Sequence, residues 1–213
     1  MGTRNLIMVY RNGEYKVAQY GQWDGYPSGQ GLSILEYLRD KADMKKFREN
    51  VAKCCWITDQ KYKEYWLEFG HDIDNSNGFV SCELSDKFNA KHPELDRSTE
   101  WEILPMIEQS ENGLELDNRF EFVANSLFCE WAYVIDLDKN TLEVYEGFNT
   151  TPLPESERFS ALEPYEAYDE TKYYPVKLKA EFNLDLLPVD EMFLRICEPR
   201  EDDEENIEDS SSF

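Results

Sequence analysis

The chain has 213 residues, of which 41% are hydrophobic, and a formal net charge of −23 at pH 7. A chain of this length buries about 70% of the surface that it exposes when unfolded, so no disulfide or metal is needed to stabilise it. Its acidity would repel a phosphate backbone, which disfavours direct binding to nucleic acid. No run approaches the roughly 20 apolar residues of a membrane span, and the cysteines show no C-x-x-C pair. We therefore expect a cytoplasmic protein with reduced thiols and no membrane partner.

Two apolar and aromatic runs, residues 6–10 and 15–20, open the chain on either side of Asn12-Gly13. An Asn-Gly pair between such runs predicts a β-hairpin. The second run leads into residues 21–31, which contain four glycines, one proline and two aromatic residues. Glycine permits close backbone approach and positive φ, whereas proline fixes φ, so we predict a sharply shaped loop.

Helical spacing follows in the central part of the chain. Ser33 and Glu36 have the spacing of a capping box, which predicts that a helix begins at Ser33. Apolar residues at intervals of three and four predict further helices over residues 44–54 and, after Thr58, over 59–69. A fourth helix is predicted over residues 96–107, shortened or kinked at Pro105.

Beyond Gly113 the pattern changes from helical spacing to alternation. Residues 119–123 predict a strand, and residues 131–137 and 141–145 predict a second hairpin. Residues 148–171, rich in Pro, Glu, Ser and Tyr, are expected to form a long surface excursion. A strand at 174–178 and a closing helix or strand at 189–197, burying Met192, Phe193 and Ile196, complete the expected elements.

These elements predict a single α+β domain over residues 1–198. In this domain the N-terminal and C-terminal hairpins form an antiparallel sheet that packs against the central helical segment. The strongly acidic residues 199–213 cannot bury apolar surface and are predicted to be a disordered tail.

The glycine-rich loop is the candidate ligand site. It lacks both the Lys-Ser/Thr of a P-loop and the dinucleotide fingerprint. Its aromatic rings and directed polar groups are typical of a site for a small polar or anionic ligand, whose hydrolysis stays open. Asp24 would accept a hydrogen bond or act as a general base, and Arg4 would hold an anionic group. The predicted ligand-binding residues are Arg4, Gln22, Trp23, Asp24 and Tyr26.

The alternative is a non-enzymatic, acidic interaction module that binds a basic protein partner. In that case the same loop is a structural lock, closed by a buried pair of Arg4 with Asp24. Residues 72–83 approximate a calcium loop, but Asn77 occupies the position of the turn glycine, so an Asx-rich surface loop is favoured. No metal is predicted and no cofactor is assigned.

Three stretches of the chain resemble a family of uncharacterised proteins from bacteria, phages and fungi. They are the Gly-Thr-Arg-Asn-Leu start at residues 2–6, the Gln-Trp-Asp-Gly-Tyr-Pro loop at 22–29 and the hairpin strand at 129–137. The resemblance covers most of residues 1–196 and excludes the acidic tail. It implies only that the Thr-Arg start and the loop belong together, as a shared site or as a shared lock.

Overall fold

The structure is a computed structural model that describes residues 2–76 and 79–199. Its main sheet has five strands, and two pairs of short strands lie outside it. The strands are β1 (Asn5–Arg11), β2 (Glu14–Gly21), β3 (Cys55–Trp56), β4 (Glu115–Leu116), β5 (Trp131–Asp136), β6 (Thr141–Glu146), β7 (Tyr165–Glu166), β8 (Lys172–Tyr173) and β9 (Lys177–Asn183). The α-helices are α1 (Leu32–Glu36), α2 (Met44–Val51), α3 (Asp59–Glu68), α4 (Cys82–Lys91), α5 (Ile103–Gln109) and α6 (Asp190–Cys197).

The main sheet has the strand order β2-β1-β5-β6-β9. Both predicted hairpins are present, as the antiparallel pairs β1/β2 and β5/β6, which confirms the α+β class. The hairpins meet through β1 and β5, which run parallel, so the sheet is mixed rather than purely antiparallel. This parallel pairing follows from the long helical connection between β2 and β5, because parallel neighbours require a crossover.

Apolar residues cover both faces of the sheet. Alternation along β1 sends Ile7 and Val9 to one core and Leu6 and Met8 to the other. The first core packs against α1, α2, α5 and α6, whereas the second is covered mostly by irregular segments around Val123 and Phe159. The sheet is therefore sandwiched, and its second face carries little regular structure.

The first helical segment begins earlier than the capping-box pattern predicts. A continuous helical stretch runs from residue 27 to 41, with π-helical turns on both sides of α1. Pro27 starts this stretch, and its fixed φ is compatible with a first helical position. Ser33 lies inside the helix, where its hydroxyl donates to the carbonyl of Gly29 at 3.2 Å. The prediction that Ser33 caps the helix is therefore wrong.

The predicted helices α2 and α3 are confirmed, and their first turns are capped by Asp43 and Thr58. The sequence reading missed α4, although Ser81 provides an N-cap by accepting a hydrogen bond from the amide of Leu84 at 3.3 Å. The helix predicted over 96–107 divides into 3₁₀ turns and α5, whose first turn accommodates Pro105.

The strand predicted at residues 119–123 is absent, and Phe120–Ala124 forms a 3₁₀ turn instead. The side chain of Asn118 accepts a hydrogen bond from the amide of Phe120 at 3.0 Å. Such local bonds compete with strand pairing, and only a single bridge, between Asn118 and Ala18, joins this segment to β2.

Residues 148–171 are more than a surface excursion, because Phe159 is only 1% exposed in the second core. Its neighbour Arg158 donates to Glu143 at 2.7 and 2.6 Å and also to Asp136. Tyr145 donates its hydroxyl proton to Glu143 at 2.5 Å. This buried cluster ties the excursion to the ends of β5 and β6.

The last elements differ in detail from the prediction. The strand expected at 174–178 is displaced to β9, and the closing element is the helix α6. This helix buries Phe193 and Cys197, whereas Met192 and Ile196 are 47% and 38% exposed. A disordered tail was predicted for residues 199–213. All of these residues except Pro199 lie outside the described residues.

Candidate functional site

The glycine-rich loop folds onto the start of the chain. The amide of Gly25 donates to the carbonyl of Thr3 at 3.0 Å, and the amide of Gln30 donates to that of Asp24 at 2.8 Å. A β-carbon on Gly2 would lie 2.3 Å from the carbonyl oxygen of Gln22, and one on Gly25 would lie 2.7 Å from that of Thr3. Glycine is required at both places because the backbones approach too closely for a side chain.

The side chain of Glu100 binds this loop, and Glu100 was not among the predicted site residues. Its Oε1 accepts the amides of Gln22 at 3.0 Å and Trp23 at 2.8 Å, and its Oε2 accepts the side-chain amide of Gln30. Glu100 has a φ of 49°, an uncommon value for a residue other than glycine. Burial raises the pKa of Glu100, and the nearby charge of Asp24 adds to this effect. No sequence motif marks such a carboxylate, since it lies 70 to 78 positions from the amides that it binds.

A second anchor reaches the loop from the centre of the sheet. The hydroxyl of Tyr133, a fully buried residue of β5, donates to the carbonyl of Gly25 at 2.8 Å. Burial raises the pKa of Tyr133 well above its ordinary value, so it stays a donor. The loop is therefore fixed from two directions.

The five predicted site residues do not form one pocket. Trp23 and Tyr26 are 54% and 45% exposed, and Asp24 is also exposed at a φ of 50°. Arg4 forms no pair with Asp24; its Nε lies 3.8 Å from Glu130, and its guanidinium lies 4.6 Å from the ring centre of Phe128. The predicted Arg4–Asp24 pair is therefore absent, and the loop is bound by Glu100 and Tyr133 instead.

The other two predicted residues, Arg4 and Gln22, lie together beside Tyr20. The hydroxyl of Tyr20 donates to the side-chain oxygen of Gln22 at 2.7 Å. Burial raises the pKa of Tyr20, while the positive charges of Arg4, Arg97 and Arg119 act in the opposite direction. The charges of three arginines therefore favour the ionised form of one hydroxyl, on a chain whose net charge is −23.

Two of these arginines are positioned by contacts with the outer edge of β2. Gln19 donates its side-chain amide to the carbonyl of Asp96 at 2.9 Å, next to Arg97. The amide of Arg119 donates to the carbonyl of Ala18 at 3.2 Å. Arg119 forms an ion pair with Asp117 at 2.6 Å, whereas Arg97 has no ion pair within the described residues.

Tyr20, Arg97 and Arg119 line an open cleft of about 900 Å³ between β2 and the helices α3 and α4. This volume falls within the range of about 300–1,000 Å³ that is usual for small-molecule sites. The lining combines aromatic rings with amide side chains, including those of Gln19 and Asn89. Neither Arg4 nor Gln22 lines the cleft, but Gln22 accepts a hydrogen bond from the lining residue Tyr20. The sequence analysis did not predict this cleft.

The calcium-like stretch forms an Asx-rich turn as far as the structure describes it. The carboxylate of Asp72 accepts the backbone amides of Asp74 and Asn75 at 3.1 and 3.3 Å. Residues 77 and 78, which would complete the loop, lie outside the described residues. Elsewhere in the described ranges, no group of three His, Cys, Asp or Glu side chains is arranged to hold a metal ion. None of the described helices is long and apolar enough to cross a bilayer.

Comparison with known proteins returns no relative of this chain. No protein-family model matches it, and neither the curated proteins nor the solved structures include a match. The resemblance to the uncharacterised bacterial, phage and fungal family therefore stays a prediction. Any functional assignment depends on the geometry of the loop and the cleft.

Proposed function

We propose that the protein binds a small anionic ligand in the cleft at Tyr20, next to the first residues of the glycine-rich loop. One observation carries this proposal: Arg97 and Arg119 line the same cleft as Tyr20, whose hydroxyl donates to the side-chain oxygen of Gln22. In this proposal Arg4 keeps its predicted role of holding an anionic group. The predicted role of Gln22 becomes that of a partner that orients the Tyr20 hydroxyl.

The cleft lining places two arginines, Arg97 and Arg119, beside Tyr20, together with the carboxylates of Asp96, Asp117 and Glu121. A protein with 45 acidic and 22 basic residues repels anions in general, so an anion needs a local group of cations. Guanidinium groups bind carboxylates and phosphates through paired hydrogen bonds, and Arg97 is free to do so because it has no ion pair within the described residues. The cleft also supplies amide groups that can orient a bound ligand.

The outer residues of the loop contribute less to binding in this proposal. Trp23, Asp24 and Tyr26 face solvent, where they can contact only a ligand that extends out of the cleft. In this arrangement the carboxylate of Asp24 can accept a hydrogen bond. It could act as a general base only on a ligand that reaches it. The proposal is therefore one of binding.

Isothermal titration calorimetry at low salt tests the proposal, with inorganic phosphate, pyrophosphate and citrate as probes. A hydrogen bond to a charged group contributes about 1.5–3 kcal/mol, so Arg97→Gln and Arg119→Gln should each weaken binding about tenfold or more. Arg195→Gln is the matched control, because Arg195 is an exposed arginine on α6, across the sheet from the cleft. Absence of binding at 10 mM of every probe (roughly the weakest affinity of interest), or an equal loss in Arg195→Gln, would refute the proposal.

The second candidate is an acidic module for a basic protein partner. The observation that favours it is the lock itself: Glu100 and Tyr133 fix a loop that presents the exposed rings of Trp23 and Tyr26. Aromatic side chains held rigidly at a surface are typical of interface anchors. Pull-down of a basic polypeptide that persists at 0.15 M salt (a Debye length of about 8 Å) and is lost in Trp23→Ala would support this function, whereas retention in Trp23→Ala would exclude the loop as the anchor.

A further inference from the structure

The cleft at Tyr20 has aromatic rings on two opposing sides. One side, here called the helical wall, consists of three rings from α3 and α4, and the other, the strand wall, of three rings from β2 and the 3₁₀ turn at Phe120–Ala124. The helical wall is Tyr62, Trp66 and Phe88, and the strand wall is Tyr20, Phe120 and Phe122.

Each wall contains rings that contact one another, whereas Phe120 of the strand wall contacts Tyr15 and Phe159. Trp66 stacks on Phe88 with ring centres 3.9 Å apart and an interplanar angle of 4°, and Tyr62 meets Phe88 edge-on at 5.9 Å. In the strand wall, Tyr20 meets Phe122 edge-on at 5.1 Å. No ring pair among the described residues joins the two walls. The cleft therefore keeps apart two aromatic surfaces that have no aromatic partner across it.

Tyr62 is the ring of the helical wall that is most open to a ligand. Tyr62 is 36% exposed, whereas Trp66 and Phe88 behind it are 7% and 2% exposed. Both buried rings contact Tyr62 edge-on, at 6.4 and 5.9 Å, and the Tyr62 ring stays partly exposed in the cleft. A partly exposed ring that contacts buried neighbours is suited to stack on a flat ligand, because little side-chain freedom is lost on binding.

The same cleft contains Arg97 and Arg119. A ligand that satisfies the arginines alone would leave the aromatic walls facing water. A neutral aromatic compound would leave Arg97 without a counter-charge, because Arg119 is paired with Asp117 whereas Arg97 has no ion pair within the described residues. We propose that the ligand is a small aromatic anion, a flat ring bearing a phosphate or carboxylate, whose ring lies between the walls and whose charge meets the arginines. This inference depends on the proposed anion binding, and it narrows the chemical class of the ligand.

The test compares phenyl phosphate with cyclohexyl phosphate, which has the same charge and a similar size but no aromatic ring. Calorimetry on the full chain should show phenyl phosphate binding about tenfold more tightly than cyclohexyl phosphate or inorganic phosphate, as expected for one stacked ring. Benzoate and cyclohexanecarboxylate form a second matched pair that repeats the comparison with a carboxylate.

Three substitutions locate the effect. Tyr62→Leu should abolish the preference for the aromatic ligand, while Tyr62→Phe, which keeps the ring, should retain it. Tyr168→Leu is the control, because Tyr168 is a fully exposed tyrosine outside the cleft. A thermal melt of each variant checks that the fold is intact, which is expected from the partial exposure of Tyr62.

The outcomes separate this inference from the proposal on which it depends. If inorganic phosphate binds but phenyl phosphate binds no more tightly than cyclohexyl phosphate, the aromatic class is wrong and anion binding stands. If Tyr62→Leu keeps the aromatic preference, or Tyr168→Leu loses it, the helical wall is not the stacking surface and the inference fails. If no anion binds at all, both proposals fail.

Discussion

Removing the carboxylate of Glu100 should release the glycine-rich loop. Glu100 accepts the amides of Gln22 and Trp23 and the side chain of Gln30, and bonds to a charged acceptor contribute about 1.5–3 kcal/mol each. Water can replace Glu100 at the exposed amide of Trp23, and burial of the charge offsets part of the remainder. We expect Glu100→Ala to lower the free energy of unfolding by about 3 kcal/mol, and Glu100→Gln, which keeps one acceptor, by about 1 kcal/mol.

Urea unfolding measures the loss, and a melt should show a decrease of about 6–12 °C for Glu100→Ala in a protein of this size. Hydrogen exchange should accelerate at the amides of residues 22 and 23 more than in the sheet. Glu49→Ala is the control, because Glu49 is an exposed glutamate on α2 without an ion pair in the described residues. A loss below about 1 kcal/mol relative to Glu49→Ala, or unchanged exchange in the loop, would refute Glu100 as the lock.

Two further substitutions test the anchors of the sheet. Arg158→Met removes the guanidinium that pairs with the buried carboxylates of Asp136 and Glu143 and leaves Lys139, whose Nζ lies 3.8 Å from Glu143, so it should cost about 3–5 kcal/mol at pH 7. Burial alone would raise the pKa of Asp136, but the amide of Lys139 and the charge of Arg158 lower it overall, so its stabilising contribution is present above its ordinary pKa of 3.8 and is lost as the pH falls through the lower folded value. The difference in unfolding free energy between wild type and Arg158→Met should therefore narrow as the pH falls below the ordinary aspartate pKa of 3.8, and a difference that stays constant on acidification would contradict this reasoning. Tyr133→Phe leaves the carbonyl of Gly25 without its buried donor and should cost about 1–3 kcal/mol, with faster exchange in the loop; a loss within about 0.5 kcal/mol would show that this anchor is dispensable.

Elements with local signals were predictable from the sequence. The hairpin of β1 and β2 depends on Asn12-Gly13, both of which have positive φ, at 54° and 81°. Helices α2 and α3 depend on apolar spacing and on the caps Asp43 and Thr58. The alternation at residues 119–123 was misleading, because Asn118 captures the amide of Phe120 and favours a 3₁₀ turn over a strand.

The candidate site was only partly predictable, because only some of its residues have a local sequence signal. Arg4 and Gln22 were found because they border an unusual loop, and strand pairing brings them together beside Tyr20. The cleft residues Arg97 and Arg119 carry no local motif. They reach Tyr20 only because two distant segments bind the outer edge of β2.

Local conformations could be predicted from the sequence alone. They are the two hairpins, the helices with clear caps, and a glycine-rich loop whose backbone must pass close to the chain start. These depend on interactions between residues a few positions apart, which a single sequence displays directly. Other features are set by the tertiary structure: β1 and β5 run parallel, Glu100 and not Asp24 closes the loop, and Arg97 and Arg119 share a cleft with Tyr20. Those features join segments that lie far apart in the sequence, and their partners are selected by packing of the whole domain rather than by any local pattern.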